Sequence, residues 1–440
     1  MIGFAGLSHL GINYSLATAA QGFEVLAFHP AAELVADLSN GKLPIAEPGL
    51  PELFAAQRQR IRYTARAADL FACELVFVAL DILTDATNRS DPGPLRELIQ
   101  QIAPHLRPGS TLVLLSQVNP GFTRPLRAEL RRTSAVGEIF YQVETLIFGR
   151  AVERALHPER FIVGAADPTQ PLPARLKQWH DRFGCPVLVM RYESAELAKI
   201  AINFFLVASV ATTNTLAEVC EHIGADWNEI APALRLDARI GPQAYLTPGL
   251  GIAGGNLERD LVTVQQLAGS CADTGIIDAW QHNSAHRKDW AARTLRDAAR
   301  QCGLDLKNAV IAVWGLAYKE NTHSTKNSPA LQFVAGIPEA RKQVYDSVVT
   351  LPAAAFPQFQ QAATALDCCP GADALVILTA WPEFRSADLK AIRAVMRGNI
   401  LLDPFGLLDG AQAAALGFDY YRLGAPPRLP SPETPPGVPQ

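Results

Sequence analysis

Short apolar runs alternate with helix-like stretches through the first part of the chain. Residues 2–6 form one such run, followed by glycines and then by Tyr14-Ser15-Leu16-Ala17-Thr18-Ala19-Ala20, a good helix former. The next apolar run is Glu24-Val25-Leu26-Ala27-Phe28. Strand, turn, helix and strand in that order open a parallel βαβ unit. Leu75-Val76-Phe77-Val78-Ala79-Leu80 and Thr111-Leu112-Val113-Leu114-Leu115 read as further buried strands, with a helix near 94–103. An α/β domain ending near 165–190 fits this series.

From Ser194 to about Ile223 the pattern changes. Leu197, Ile200, Ala201, Phe204, Phe205, Val207 and Ala208 recur at mixed spacings of three and four, and no proline interrupts them. One long helix follows from this. Helix-rich sequence continues to about 300, broken by a glycine loop. Ala309-Val310-Ile311-Ala312-Val313-Trp314-Gly315 then starts a second strand-turn-helix series, continued by Ala374-Leu375-Val376-Ile377-Leu378 and Ile400-Leu401-Leu402. The pattern predicts an N-terminal domain over 1–190, a helical region over 191–300 and a second α/β domain over 301–424. Residues 425–440 are rich in proline and are expected to be a disordered tail.

Composition narrows the classes. In 440 residues, 49% apolar and 19% charged side chains suit a folded, multi-domain enzyme. A net charge of −4 offers no general attraction to nucleic acid or to an anionic membrane, so neither is expected as a partner. The start, Met1-Ile2-Gly3-Phe4, lacks a basic leader segment, and no run approaches the length of an apolar membrane span, so a cytoplasmic location is expected. The seven cysteines are scattered without paired spacing, which predicts reduced thiols, most of them buried, and no metal.

The glycine loop carries the most chemistry. In Pro248-Gly249-Leu250-Gly251-Ile252-Ala253-Gly254-Gly255-Asn256-Leu257-Glu258-Arg259-Asp260, four glycines within seven residues let backbone approach a ligand closely. The loop resembles the active-site loop of the UDP-glucose/GDP-mannose 6-dehydrogenase family, which reads Gly-x-Gly-(Tyr/Phe)-Gly-Gly-Ser-Cys-x-x-Lys-Asp with the cysteine as nucleophile. Further matches are Asn40 to Leu50, Glu196 to Asn203, Asp237 to Pro242, Gly315 to Lys319 and Asn327-Ser328-Pro329. The resemblance reaches to about Gly424. It implies two Rossmann-like, doubly wound domains joined by a long central helix, with NAD as cofactor and NADP as the alternative.

At the cofactor end, Gly6-Leu7-Ser8-His9-Leu10-Gly11 keeps the first and third fingerprint glycines, Gly6 and Gly11, with Ser8 at the second. Where the family places a ribose-binding carboxylate stands His29. Its Thr-Pro is Asp81-Ile82 here, and its Ser-Thr-Val-Pro is Ser116-Gln117-Val118-Asn119. Lys326 matches an arginine of the second domain, keeping the charge and losing the bidentate fork. The alternative by residue type alone is that Gly6 and Gly11 only make a βα turn in a retired site.

At the substrate end, Lys199 and Asn203 are four residues apart and share one helix face. By residue type alone such a pair is surface decoration; by resemblance they face the sugar C6 and stabilise the developing oxyanion. Asp260 matches the aspartate that removes the hydroxyl proton, or is a helix N-cap. Glu144 matches a glutamate that positions water, or is a solvated surface side chain. Arg239 matches an arginine that reaches the sugar of a neighbouring subunit, and Lys319 a substrate-contacting lysine; with Gly254 and Gly255 these make the expected substrate-binding set. A homodimer or larger oligomer follows from Arg239.

Asn256 stands at the nucleophile. Its amide hydrogen-bonds a carbonyl or hydroxyl but forms no thioester. The nearest cysteine along the chain, Cys271, is expected in helical core. Three readings follow: a nucleotide-sugar or phosphorylated-polyol oxidoreductase limited to one two-electron step, a redox-inactive nucleotide-sugar binder, and a non-redox enzyme that uses a bound nicotinamide transiently.

Overall fold

A computed structural model of the chain describes residues 1–85, 87–351 and 359–430. It divides into two compact units, Met1–Asn203 and Phe204–Gln440.

The first unit is built on eight strands: β1 (Ile2–Ala5), β2 (Val25–Phe28), β3 (Ile61–Thr64), β4 (Leu75–Val78), β5 (Thr111–Leu114), β6 (Ile139–Gln142), β7 (Phe161–Ala165) and β8 (Val187–Arg191). Their order across the sheet is β3-β2-β1-β4-β5-β6-β7-β8, parallel except between β6 and β7. The first six places repeat the doubly wound dinucleotide order, with the switch between β1 and β4. Because helices cover both faces, the central strands are apolar throughout. The pleat sends Phe4, Val25 and Phe77 into one core and Leu26, Val76 and Val78 into the other. Phe4 stacks on Phe77 at 5.0 Å between ring centres, and Trp179 packs beyond it at 4.7 Å.

The expected long helix runs from Tyr192 to Ile223, beginning in the first unit and ending in the second. Its 32 residues include an 18-residue window of mean hydropathy 1.5, so by length and composition alone it could cross a membrane. Two of its polar side chains have work inside the first unit. The buried Glu196 carboxylate accepts from the amides of Gly121 at 2.6 Å and Thr123 at 2.9 Å, completing the start of the helix Thr123–Thr133. Lys199 pairs with Glu144, described below.

The second unit carries β9 (Val310–Trp314), β10 (Arg341–Tyr345), β11 (Phe359–Gln361), β12 (Ala374–Ile377), β13 (Ile400–Leu402) and β14 (Asp419–Tyr421). They order as β11-β10-β9-β12-β13-β14, all parallel, the same winding again. A small core of Val207, Ile252, Leu261 and Ile277 joins the central helix to the glycine loop and its following helices. Of the tail expected from 425, the first residues are held: Ala425 is buried, and Arg428 exchanges both backbone hydrogen bonds with Tyr420. Residues 431–440 lie outside the described residues.

The cysteines are free. Cys73, Cys220, Cys368 and Cys369 are buried, and burial pushes the Cys73 thiol up to about 11. Cys271, expected in helical core, instead sits exposed in the bend after the helix Asn256–Ala268, because that helix ends at Gly269.

Candidate active site

In the first unit the expected cofactor residues gather at the ends of β1, β4 and β5. Gly6 leaves β1 at φ +93°, a conformation that suits glycine. A side chain on Gly11 would place its Cβ 1.9 Å from the Gly6 carbonyl oxygen, so the third glycine is required by close packing. Both therefore do the structural work of a dinucleotide turn, and the helix His9–Ala20 starts directly after it. Ser8 stands where the backbone would approach a diphosphate. Its hydroxyl donates to the Ala79 carbonyl at 3.2 Å and accepts from the Asp81 amide at 2.9 Å. The Asp81 carboxylate in turn accepts from the Leu10 amide at 3.3 Å. The turn thus fits a dinucleotide in shape, while a carboxylate stands on one of the amides its diphosphate would use.

The other cofactor positions are quieter. Ser116 is buried, and its hydroxyl accepts from the Leu80 amide at 3.1 Å, tying the ends of β4 and β5 together. Gln117 follows it, half-buried. His29, half-buried at the end of β2, accepts from the Ala31 amide through Nδ1 at 3.1 Å, and burial lowers its pKa.

His9 at this turn and Glu47, which precedes the helix Leu50–Gln57, form a pair that composition and spacing do not mark. His9 Nε2 lies 2.8 Å from Glu47, whose carboxylate also accepts from the amides of Gly149 and Ala151. The His9 ring packs on Phe148 at 4.4 Å. Burial alone would raise the Glu47 carboxyl; the His9 bond, the Gly149 and Ala151 amides and the His9 charge outweigh it and hold it below the usual range. In the sequence Glu47 shows only as an acid among apolar residues within the matched segment Asn40 to Leu50.

Lys199 and Glu144 are brought together, although 55 residues separate them. Lys199 Nζ lies 2.8 Å from the Glu144 carboxylate and donates to the Glu144 carbonyl at 3.0 Å. With side chains only 12% and 15% exposed, neither is surface decoration. Asn203, one turn further along the helix, is also buried.

The second unit holds the glycine loop. Gly254, at φ +81°, donates its amide to the Lys326 carbonyl at 3.2 Å, and its own carbonyl accepts from the Asn327 side chain at 2.8 Å. A Cβ on Gly254 would meet the Tyr318 ring at 3.0 Å, so this glycine is required by the loop that follows β9. Glu258 joins the two loops by bonding Asn327 and, at 2.6 Å, Lys288. Lys319 lies 5.7 Å from the centre of the Tyr318 ring. The structure therefore collects Gly254, Gly255, Lys319 and Lys326 within one unit.

Asn256 is the first residue of the helix Asn256–Ala268, and it is exposed. Asp260 is not the cap of that helix: Gly255 holds the cap position, and Asp260 lies a turn inside, buried, 3.1 Å from Arg259 Nε. Arg239 is 89% exposed and bonds the neighbouring Asp237 at 2.7 Å and 3.0 Å.

Comparison with known proteins covers nearly the whole chain. Sequence models of the UDP-glucose/GDP-mannose dehydrogenase family match residues 1–183 as the NAD binding domain, 193–284 as the central domain and 312–410 as the UDP binding domain. The UDP-glucose 6-dehydrogenase TuaD of Bacillus subtilis is 26% identical over 97% of this chain and 93% of its own length. The UDP-glucose 6-dehydrogenase of Pseudomonas aeruginosa is 28% identical over 96% of each. Among solved structures, a UDP-D-ManNAc dehydrogenase from Pyrococcus horikoshii superposes with a TM-score of 0.84 at 23% identity, covering 96% of this chain and 99% of that one.

Proposed function

Because the chain belongs to the UDP-glucose/GDP-mannose dehydrogenase family, we propose that it oxidises a CH–OH group of a nucleotide sugar with NAD, in a single two-electron step that ends at the aldehyde. NAD bound at the first sheet supplies the hydride acceptor. The reading is supported above all by the Lys199–Glu144 pair, a half-buried ammonium held by a carboxylate. An ammonium fixed in this way stabilises negative charge on an oxygen that is losing its proton. Glu144 orients the Lys199 ammonium, and Asn203 offers a neutral amide from the next turn of the same helix face. Asp260 is the proposed proton acceptor.

The limit to one step comes from Asn256. A second oxidation through a thioester needs a thiol, and an amide nitrogen is not a nucleophile at neutral pH. The reaction balances as one hydride and one proton leaving the CH–OH carbon and oxygen, giving a carbonyl and one reduced cofactor.

An oligomer is part of the proposal. Phe205, Leu216, Val219 and Ile223 are exposed along the central helix, the last three at spacings of three and four, and an apolar stripe of this kind suits a second copy. Arg239, exposed, is then available to a neighbour's substrate. A cytoplasmic location goes with this reading.

Stoichiometry tests it. With a panel of UDP- and GDP-sugars and NAD or NADP, one reduced cofactor should form per sugar consumed, and a hydrazine should trap the aldehyde. Two reduced cofactors per sugar, with an acid as product, would overturn the single-step reading. No turnover combined with sugar-nucleotide binding would favour a redox-inactive binder.

A further inference from the structure

Two departures from the dinucleotide pattern, Ser8 and Asp81, meet at the first βα turn. In a doubly wound fold the diphosphate sits against the N-terminal amides of the first helix, where unpaired N–H groups and the helix dipole favour an anion. Here the Leu10 amide already donates to Asp81 Oδ2 at 3.3 Å. The Ser8 hydroxyl bridges the Ala79 carbonyl and the Asp81 amide, and so holds the segment after β4 in the register that delivers this carboxylate. A glycine at position 8 would remove this bridge and leave the Asp81 amide without the Ser8 hydroxyl, the segment then being held through the Ala79 and Leu80 amides.

We propose that Asp81 is a built-in anionic occupant of the diphosphate subsite, so that a dinucleotide binds this chain only by displacing or neutralising it. The inference rests on the cofactor reading above. Asp81 is exposed, and its side chain can leave the turn for solvent by giving up its contacts with the Leu10 amide and Ser8. While it stays and is ionised, it repels a diphosphate and uses a donor the diphosphate needs.

The charged groups around it set the pH dependence. His9 faces Asp81 from the same helix start and is itself held by Glu47. Glu144 faces it from the segment after β6, paired with Lys199. Although Asp81 reaches the surface, the protein packed around its carboxyl displaces enough water to push the pKa up, Glu144 adds to the rise, and Ser8, His9 and the Leu10 amide oppose it; the balance is upward. Below that pKa Asp81 is neutral and the repulsion is gone. Cofactor affinity therefore falls as pH rises through it.

Calorimetric titration of the full chain with NAD, ADP-ribose and adenosine, from about pH 5 to about pH 8, reads this directly. In Asp81→Asn and Asp81→Thr, NAD and ADP-ribose should bind about fivefold more tightly at neutral pH, the scale of one charge at a helix start. The pH slope should shrink and adenosine should bind as before. Unchanged or weaker NAD binding in the folded variants overturns the proposal, and so does an equal gain for adenosine, which would mean a loosened turn rather than a vacated anion subsite. If NAD and ADP-ribose bind neither the unaltered chain nor either variant, the cofactor reading falls with it; equal binding to all three removes Asp81 alone.

Discussion

After β1 the chain turns through Gly6 and after β9 through Gly315, both at φ +93°, and each turn is the first of a sheet with the same winding. Each also has a carboxylate on its amides. At the second turn this is Asp346, which follows β10 and is buried. One of its oxygens accepts from Leu316 at 2.6 Å, Ala317 at 3.0 Å and the Trp381 indole at 3.0 Å; the other accepts from Val348 and Val349. The carbonyls of Leu316 and Ala317 are taken as well, by the hydroxyls of Ser328 and Thr379. Both amides and both carbonyls of Leu316 and Ala317 are thus engaged by the protein itself, and the helix that follows starts only at Pro329. At the first turn the carboxylate belongs to the exposed residue Asp81, which follows β4, and its bond to an amide of the helix that starts at once is long, 3.3 Å. One topology thus yields a turn closed by its own protein and a turn whose anion site is held by a removable group.

The largest effect that tests this difference is on stability. Asp346→Ala strands several buried donors together, which should cost on the order of 4 kcal/mol, read as a lower urea midpoint for the second unit. A loss under about 1 kcal/mol would mean that water or a shift of the turn replaces Asp346 easily, and the contrast with Asp81 would collapse. Gly11→Ala comes next. With the Gly6 carbonyl only 1.9 Å from the new Cβ, the helix start must move, and about 3 kcal/mol of stability in the first unit should go with it. An unaltered midpoint would show that the first turn is looser than its packing implies.

How much of this contrast can be read from residue order depends on the distance over which it is built. β1, β2, β4 and β5 announce themselves as apolar runs because helices bury both faces of a parallel sheet, and the central helix does so by spacing. β3, Ile-Arg-Tyr-Thr, and β10, Arg-Lys-Gln-Val-Tyr, do not; β3 is an edge strand with its Arg62 exposed, and β10 begins with charged residues despite pairing on both sides. The glycines of both turns and the Lys199–Asn203 face are local features and are legible. Glu144 is visible as a residue, but not its bond to Lys199; Ser8 and Asp81 are visible as departures, but not the hydroxyl that joins them. Those contacts exist only once strands far apart in sequence lie side by side, and Asp346 escapes notice because it follows the strand hardest to recognise.

A smaller effect separates the two kinds of carboxylate by pH. Glu47 is held below its usual pKa, so its contribution to the first unit is complete above about pH 4.5 and is lost as pH falls through the folded value. Glu47→Gln removes the charge from the His9, Gly149 and Ala151 bonds, which should cost about 1 kcal/mol at neutral pH and flatten the acid limb of the stability curve. An acid limb as steep as before would mean that another carboxylate carries it.

Asp81 should have the smallest effect on stability and the opposite sign. A carboxyl whose folded pKa is raised is favoured in its neutral form, so whatever it contributes weakens as pH rises from the ordinary aspartate value through the folded one. Asp81→Asn keeps the shape, can still accept from the Leu10 amide and removes the charge, so at neutral pH it should leave the unfolding midpoint within about 0.5 kcal/mol of the unaltered chain, on either side. The same variant is the one expected to tighten NAD. Stability and affinity respond together when a residue shapes a site and separate when it only occupies one, so a midpoint that drops as far as that of Asp346→Ala would make Asp81 part of the turn's frame, built in the same way as the second.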